Sequence, residues 1–428
     1  MKYYNKLIEC ADRDVMMGLQ SERLIALVNR VYQNVPFYKQ KLDEKGVDPA
    51  TFIGLDEITK LPFTTKKDLR DQYPFGLFAV PTTDIVRLHA SSGTTGKPTV
   101  VGYTQNDIDV WAEVMARSLV SAKVNKDDIV QISYGYGLFT GGMGAHLGSE
   151  KLGAITVPAS TGNTQRQLML MKDFGTTAVC CTPSYAIVMA EQMVKEGYNI
   201  EDFKLRSGIF GAEPWDDKMR ADIEKRLNIE AFDIYGLSEI MGPGVGIECE
   251  AHAGLHIQDD HFLAEIIDPE TLQPLPDGEI GELVITTLTK EGIPLIRYRT
   301  GDLTSITHEK CKCGRTTTRI GRITGRVDDM LIIRGVNVFP SQVQTVLAKF
   351  NELSIHFVIN VSRVGSMDNM RITAELRPNV DVDLDELKKR IQKDMNSMLL
   401  VNSVLELVPP DTIARSEGKF KRVIDERK

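Results

Sequence analysis

Residues 91–99 read Ser-Ser-Gly-Thr-Thr-Gly-Lys-Pro-Thr, the strongest chemical signal in the chain. Glycine lets a backbone approach a ligand closely, and successive N–H groups can form a nest for an anion. The hydroxyls of Ser92, Thr94 and Thr95 add donors, and Lys97 adds charge. Ser92, Gly93, Thr94, Thr95, Gly96 and Lys97 therefore make a cradle suited to a triphosphate. It is not a Walker A loop, G-x-x-x-x-G-K-[ST]. Counted back from Gly96-Lys97, that motif's first glycine falls on Ser91, and Pro98 stands where a magnesium-binding hydroxyl is needed. P-loop NTPase chemistry is disfavoured accordingly. A flexible polar loop is the plainer alternative, but a run of small and hydroxyl residues closing in Gly-Lys-Pro is unusual for one.

The second signal is a set of thiols. Cys311-Lys312-Cys313-Gly314 is a tight C-x-C-G knuckle, and Cys249 lies upstream with His252 and His256 just after it. Three thiolates and one imidazole make a closed four-ligand set, the composition of a structural zinc site with no open position for catalysis. Cys249, His256, Cys311 and Cys313 are the expected ligands. His256 is preferred because LHIQ reads as a strand with a fixed side chain; His252 is the alternative and His261 a weaker one. Free surface cysteines are the plain alternative, since half of the set is non-local. Cys180 and Cys181 sit in the apolar run TTAVCCTP and read as small core residues.

The elements that must position these groups follow from composition and periodicity. The chain has 428 residues, 42% hydrophobic and 26% charged, which is ordinary globular composition with length for about three domains. Fifty-one basic against 59 acidic residues leave a net charge of −8, so the bulk charge gives no sign of a nucleic-acid binder. No apolar run reaches the roughly 18 residues of a membrane helix, and the polar N-terminus lacks a signal-peptide core, so a cytoplasmic protein is expected. The first stretch of about 80 residues reads as helical, with amphipathic spacing in SERLIALVNRVYQNV. From Asp128 to Gly236, strands (DIVQISY, AITVPA, TTAVCCTP, SGIFGAEP, EAFDIYG) alternate with helices (TQRQLMLMKDF, YAIVMAEQMVKEG, DDKMRADIEKRL). That alternation predicts an α/β domain with a largely parallel sheet, whose ligands sit beyond the carboxyl ends of the strands. LHIQ, FLAEIID, GELVITTL and PLIRYRT predict a β-rich subdomain over about 249–325. Beyond it, LIIRGVNVF reads as one strand, and the order βαββαβ resembles a ferredoxin-like unit. The expected architecture is α/β: a large N-terminal α/β domain, 1–327, with its β-rich subdomain, plus a small mobile α+β C-terminal domain, 328–428.

A series of motifs then identifies a resemblance. SSGTTGKPT, Tyr235-Gly236-Leu237-Ser238-Glu239, Tyr298-Arg299-Thr300-Gly301-Asp302, Gly325-Arg326-Val327-Asp328-Asp329 and Ser416-Glu417-Gly418-Lys419 stand in this order. They resemble the phosphate loop and the YGxTE, YRTGD, GRxDD and GK motifs of the adenylate-forming superfamily: acyl-CoA synthetases, peptide-synthetase adenylation domains and luciferases. YGYGLFTGG at 134–142, GAEPW at 211–215, YGLSEIMGPGV at 235–245 and DDMLIIRGVNVFPSQV at 328–343 resemble the phenylacetate–CoA ligase family in particular.

The resemblance implies two half-reactions in one site. A carboxylate attacks the α-phosphate of ATP, giving acyl-adenylate and pyrophosphate, and the coenzyme A thiol then displaces AMP. It implies Lys419 as the cation bridging carboxylate and phosphate, Glu239 as the Mg²⁺ ligand and Arg326 as a phosphate contact. A tail lysine is otherwise usually just solvated. Tyr235 would stack on adenine and Asp302 would accept from the ribose hydroxyls, with Glu213, Pro214, Asp233 and Gly236 counted among the nucleotide contacts. Asp328 would be the hinge on which the C-terminal domain turns, and Gly335 would border the pantetheine tunnel. Tyr134, Tyr136, Phe139, Gly141 and Ala212 would form a flat slot for an aryl acid, although any one of them could simply be core. A homodimer is what base rates and the family imply. Two other readings keep part of this picture: an adenylation enzyme that delivers the acid to a carrier protein, and a zinc-stabilised nucleotide-binding regulator without turnover.

Overall fold

The computed structural model describes residues 2–91, 98–327, 331–333, 336–364, 367–399, 401–415 and 422–427. The chain opens with helices α1 (Lys6–Glu9), α2 (Arg13–Asn34), α3 (Pro36–Glu44) and α4 (Lys66–Asp71). On α2 the buried residues Gln20, Leu24, Leu27, Val28 and Val31 recur at helical spacing, so one face of the helix lies on the domain. Strands β1 (Arg87–Ser91) and β2 (Thr99–Tyr103) pair antiparallel, with Ser91 opposite Thr99. Helix α5 (Gln105–Ser121) starts at a capping box: Thr104 N–H donates to Asp107 Oδ2 at 3.0 Å, and Asp107 N–H donates to Thr104 Oγ1 at 3.1 Å.

From β3 (Ile129–Ile132) the expected alternation holds: α6 (Gly141–Leu152), β4 (Ile155–Val157), α7 (Thr164–Phe174), β5 (Ala178–Cys181), α8 (Pro183–Lys195), β6 (Ser207–Gly211), α9 (Asp217–Leu227), β7 (Glu230–Leu237). These strands are parallel in the order β4-β3-β5-β6-β7. The chain leaves β3 toward β4 on one side and leaves β5 toward β6 on the other. The carboxyl ends of β3 and β5 therefore flank the topological switch point, where open α/β sheets bind ligands.

Strands β8 (Gly242–Ile247) and β9 (Leu255–Ile257) extend this sheet antiparallel. Strands β10 (Phe262–Ile267), β11 (Gly281–Thr287) and β12 (Tyr298–Thr304) build a second, antiparallel sheet. Then β13 (Ile306–Thr307) and β14 (Arg319–Ile320) return to the β9 edge of the first sheet, and β15 (Gly325–Arg326) closes the second against β12. The strand expected at PLIRYRT starts later than the sequence pattern suggests. Arg297 has a φ of 41°, which breaks the extended run before Tyr298.

The C-terminal region departs from expectation in connectivity. LIIRGVNVF is a hairpin rather than one strand: β16 (Leu331–Ile333) pairs antiparallel with β17 (Val336–Val338). After α10 (Pro340–Leu347) come β18 (Leu353–Val364), β19 (Met367–Leu376), α11 (Leu384–Leu399), β20 (Val404–Val408) and β21 (Val423–Asp425). Their sheet runs β20-β19-β18-β21, with an antiparallel centre and parallel edges. The ferredoxin-like order is thus corrected: the first strand segment folds into its own ribbon, and β21 takes the free edge of β18. Leu331, Ile333, Val338, Val343, Ile359, Ile372 and Ile391 share one apolar core in this region.

A buried charge pair braces the first half of β7. Glu248, just past β8, accepts from Arg220 Nη2 at 2.9 and 2.7 Å and from Asp233 N–H at 2.9 Å. Arg220, on α9, also donates to Ala231 O at 2.6 Å. Removing one member strands the other charge in the interior, which costs about 3–5 kcal/mol. Glu248→Ala is expected to lower unfolding stability by about 3 kcal/mol, read from urea denaturation; a loss under 1 kcal/mol would show that the pair does not hold α9 on β7.

Candidate active site and metal centre

The turn after β7 carries Glu239. At Gly236 a Cβ would stand 1.8 Å from Gly242 O, so only glycine allows β7 and β8 to meet there. Beyond Glu239 the carbonyls of Ile240 and Met241 are buried and that of Pro243 partly so, and each of the three has a donor. Lys290 Nζ donates to Ile240 O at 2.8 Å, Tyr103 Oη to Met241 O at 2.8 Å, and Trp111 Nε1 to Pro243 O at 3.0 Å. The Tyr103 and Trp111 rings stack at 5.1 Å, and Lys290 Nζ lies 4.5 Å from the Tyr103 ring centre. Burial pushes Lys290 down to about 8, against the pull of Asp107 and Glu239. Sequence reasoning missed all three donors. Each is an ordinary residue of its element, and only the fold carries it to the Glu239 turn.

Asp302 on β12 stands opposite Arg326 on β15. Tyr235 Oη donates to Asp302 Oδ2 at 2.7 Å, and Arg326 Nη1 pairs with Oδ1. Arg326 Nη2 also donates to Thr300 O at 3.1 Å. Residues from the YGLSE, YRTGD and GRVDD motifs therefore converge on one carboxylate. Burial and the Asp302 charge push the Tyr235 hydroxyl well up, so it stays a donor.

The loop after β3 lies at the switch point. A Cβ at Gly141 would stand 2.8 Å from Phe139 Cε1 and 3.6 Å from Tyr134 Cδ1, so Tyr134, Phe139 and Gly141 adjoin. Tyr134 is buried and its hydroxyl bonds to the Gly211 backbone, next to Ala212, whose φ is 71°. Tyr136 Oη lies 3.2 Å from His146 Nδ1, and Phe139 is 44% exposed. Thr140 and Ser238 hydroxyls bond at 3.0 Å, tying this loop to the Glu239 turn.

Glu213 Oε1 accepts from Ser184 N–H at 2.7 Å in the first turn of α8, so this carboxylate caps a helix. Pro214 is exposed in the same loop. Asp233 is buried and is pushed up to about 7, by burial first and then by Glu248. Ser92, Gly93, Thr94, Thr95, Gly96, Lys97, Asp328, Gly335 and Lys419 lie outside the described residues.

The thiols converge as well. The ligand atoms of Cys249, His256, Cys311 and Cys313 all lie within 4.8 Å of one another, and all four residues are buried. Cys249 Sγ and Cys311 Sγ are 3.7 Å apart, and Cys313 Sγ is 3.5 Å from His256 Nε2. A tetrahedral ion with metal–sulfur bonds of about 2.3 Å needs sulfurs close to the observed spacing. His256 Nδ1 is 2.9 Å from Thr317 Oγ1, the outer partner that points Nε2 inward. The Cys313 thiol is held far below its ordinary value by the hydrogen bond from Cys249 and, against burial, by His256. His252 instead pairs with Glu248 and Arg220, and His261 meets Thr289 and Asp260, so neither belongs to the cluster. The cluster also anchors the N-terminus: Tyr3 Oη donates to Cys313 O at 2.7 Å, and Arg315 Nε to Glu9 Oε2 at 2.8 Å.

Comparison with known proteins places this geometry. The model of the AMP-binding enzyme family matches residues 24–289, and that of the AMP-binding enzyme C-terminal domain matches 335–427. The chain belongs to the adenylate-forming AMP-binding enzymes. Within that family it is 49% identical to the phenylacetate–coenzyme A ligase of Thermus thermophilus, over 99% of this chain and 100% of that relative. Crystal structures of a 2-hydroxyisobutyryl-CoA ligase share its fold. The postadenylation state with 2-HIB-AMP superposes with a TM-score of 0.93 at 28% identity, covering 100% of this chain and 93% of that one. The thioesterification state with 2-HIB-AMP and CoA superposes at 0.75, at 29% identity and the same coverage.

The Glu239 turn offers a direct check. Tyr103→Phe keeps the ring and removes one donor, leaving the Met241 carbonyl buried and unpaired. The expected cost is about 1–2 kcal/mol of unfolding free energy by denaturant titration; no change would mean that the carbonyl finds another partner.

Proposed function

We propose that this chain is an ATP-dependent, AMP-forming acid–thiol ligase that activates an aryl acid, phenylacetate foremost, and joins it to coenzyme A. The observation that carries the reading is the meeting of Tyr235, Asp302 and Arg326 beside the aromatic loop at the sheet's switch point. Nucleotide-binding motifs and an aryl-lined loop there share one crevice.

In the first half-reaction the acid's carboxylate attacks the α-phosphate and pyrophosphate leaves. In the second, the thiol of coenzyme A attacks the acyl carbonyl and AMP leaves. Both build negative charge on oxygen, so fixed donors and cations supply most of the catalysis. Asp302 accepts from the ribose hydroxyls, Tyr235 flanks the adenine, and Arg326 contacts phosphate while holding Asp302. Ser92, Gly93, Thr94, Thr95, Gly96 and Lys97 cradle the β- and γ-phosphates, and Lys419 bridges the acid and the α-phosphate. Glu239 is an oxygen ligand suited to Mg²⁺, which when bound neutralises phosphate charge. Asp328 is the hinge and Gly335 borders the thiol's approach. Tyr134, Tyr136, Phe139, Gly141 and Ala212 shape the slot for the ring. Glu213, Pro214, Asp233 and Gly236 contribute contacts to the nucleotide, with Glu213 also capping α8. The working assembly is a cytoplasmic homodimer. No helix among the described residues is long and apolar enough to cross a membrane.

Cys249, His256, Cys311 and Cys313 would hold a structural zinc ion. The four ligand atoms leave no open position, and the ion would tie the β-rich region to the N-terminal segment through Tyr3 and Arg315.

Acid-dependent ATP–pyrophosphate exchange without coenzyme A, run over phenylacetate, hydroxyphenylacetates, indoleacetate and benzoate, tests the reading. Exchange ranked highest for phenylacetate, with phenylacetyl-CoA formed once the thiol is added, is expected; exchange without thioester would favour delivery to a carrier protein. Asp302→Asn should lower exchange by about 100-fold, roughly 2.7 kcal/mol of lost transition-state stabilisation. Elemental analysis should find one zinc per chain, and Cys311→Ser should lose it together with unfolding stability. Protein free of metal and indifferent to that substitution would remove the zinc assignment.

A further inference from the structure

The seam between α9 and the C-terminal region is built from charged groups that the chemistry above does not use. Lys218, in the first turn of α9, extends Nζ across the seam to Ala348 O at 2.7 Å and Phe350 O at 3.1 Å. These carbonyls lie at the end of α10, where a helix leaves its last carbonyls without internal partners and carries partial negative charge. An ammonium from another part of the chain supplies the cap. One turn further along α9, Asp222 Oδ1 lies 3.9 Å from Arg377 Nη1 of the C-terminal region. Arg422 stacks on Phe357, 4.5 Å from the ring centre, and faces the carboxylates of Glu213 and Asp216. Ile355 packs into the apolar cluster of α8 and α9 that includes Met193, Met219 and Ile223.

The seam is closed. The cavity between Lys218, Met219, Phe357, Arg377 and Arg422 holds only about 30 Å³, room for one or two waters. Arg415 Nη1 and Nη2 donate to Glu375 at 2.9 and 2.8 Å, and Ile359 N–H donates to Arg422 O at 2.8 Å. The segment carrying Lys419 is therefore flanked on both sides by residues fastened to the C-terminal sheet, and Arg422 reaches the seam. The overall arrangement is the one shared with the postadenylation structures, at a TM-score of 0.93 against 0.75 for the thioesterification state.

We propose that Lys218 is a positioning residue for the first half-reaction: its cap on α10, backed by Asp222–Arg377, latches the C-terminal region in the orientation that serves adenylation. The inference rests on the ligase reading and adds to it which contacts select the half-reaction. The two Lys218 bonds and the Asp222–Arg377 pair span the seam, so a turn of the C-terminal region breaks them together. A ligand or contact shifts a two-state equilibrium only by its differential interaction with the two states. Lys218 makes its bonds in one arrangement, so losing them lowers the population of that arrangement alone.

Lys218→Met in the full-length chain keeps the side-chain length and removes the donor. Two measurements separate the half-reactions: phenylacetate-dependent ATP–pyrophosphate exchange without coenzyme A, and thioester formation from preformed phenylacetyl-adenylate with coenzyme A and no ATP. Exchange should fall about tenfold in rate with KM for ATP little changed, as expected for a population shift. The second reaction should be unchanged or faster. Lys218→Arg should restore exchange, and Arg377→Leu should reproduce the asymmetry if the first variant proves unstable. Equal loss in both reactions, or no loss in either, would overturn the latch. A wild-type enzyme that exchanges pyrophosphate but makes no thioester would instead overturn the ligase reading, so the two failures are distinguishable.

Discussion

Two buried carbonyls in the turn after β7, with a third, partly buried, at the start of β8, constrain much of the N-terminal region. A buried carbonyl without a partner is costly, so Ile240, Met241 and Pro243 each demand a donor. The donors come from three directions: Lys290 after β11, Tyr103 at the end of β2 and Trp111 on α5. Satisfying them fixes α5 and the β1–β2 hairpin against the end of the parallel sheet. The same arrangement places Asp107 where its carboxylate accepts from Glu291 N–H at 2.7 Å and Gly292 N–H at 2.9 Å. The turn that carries Glu239 is thus rigid because its backbone, not its side chain, is anchored.

The other carboxylates show the complementary solution. Asp302 is held by Tyr235 and Arg326, side chains that themselves belong to the nucleotide motifs. Glu248 and Glu213 have no such double role in the contacts they make; one neutralises Arg220 and the other caps α8. Acidic residues of the same neighbourhood therefore divide into those that face the crevice and those that hold its walls. The Cys/His cluster belongs to the second class. Its closed ligand set and its ties to Tyr3 and Arg315 join chain segments that are remote in sequence, and it adds no group to the crevice.

The seam at Lys218 follows another logic. Core contacts between α8, α9 and the sheet are apolar and numerous, whereas the named polar links to the C-terminal region are a few charge-assisted bonds across a nearly dry gap. Bonds of that kind are directional and lose their worth when the geometry changes. An apolar seam would tolerate sliding. A seam of capped carbonyls and ion pairs is either made or broken.

Much of this was legible in the residues alone. The α/β alternation, the β-rich stretch and most strand positions followed from local periodicity, because the burial of alternate or every third to fourth residue is a local demand. The meeting of Tyr235, Asp302 and Arg326 was implied by motif order, and the Cys249, His256, Cys311 and Cys313 set by ligand type and the strand character of LHIQ. Local pattern did not reveal that LIIRGVNVF folds back on itself, that β21 supplies a sheet edge, or that Glu213 is a helix cap. Nor did it mark Tyr103, Trp111, Lys290 or Lys218, whose partners lie far away in the chain. Periodicity records which face of an element is buried. Which distant carbonyl a buried donor will meet depends on how helices and sheets pack, and that only the tertiary structure decided.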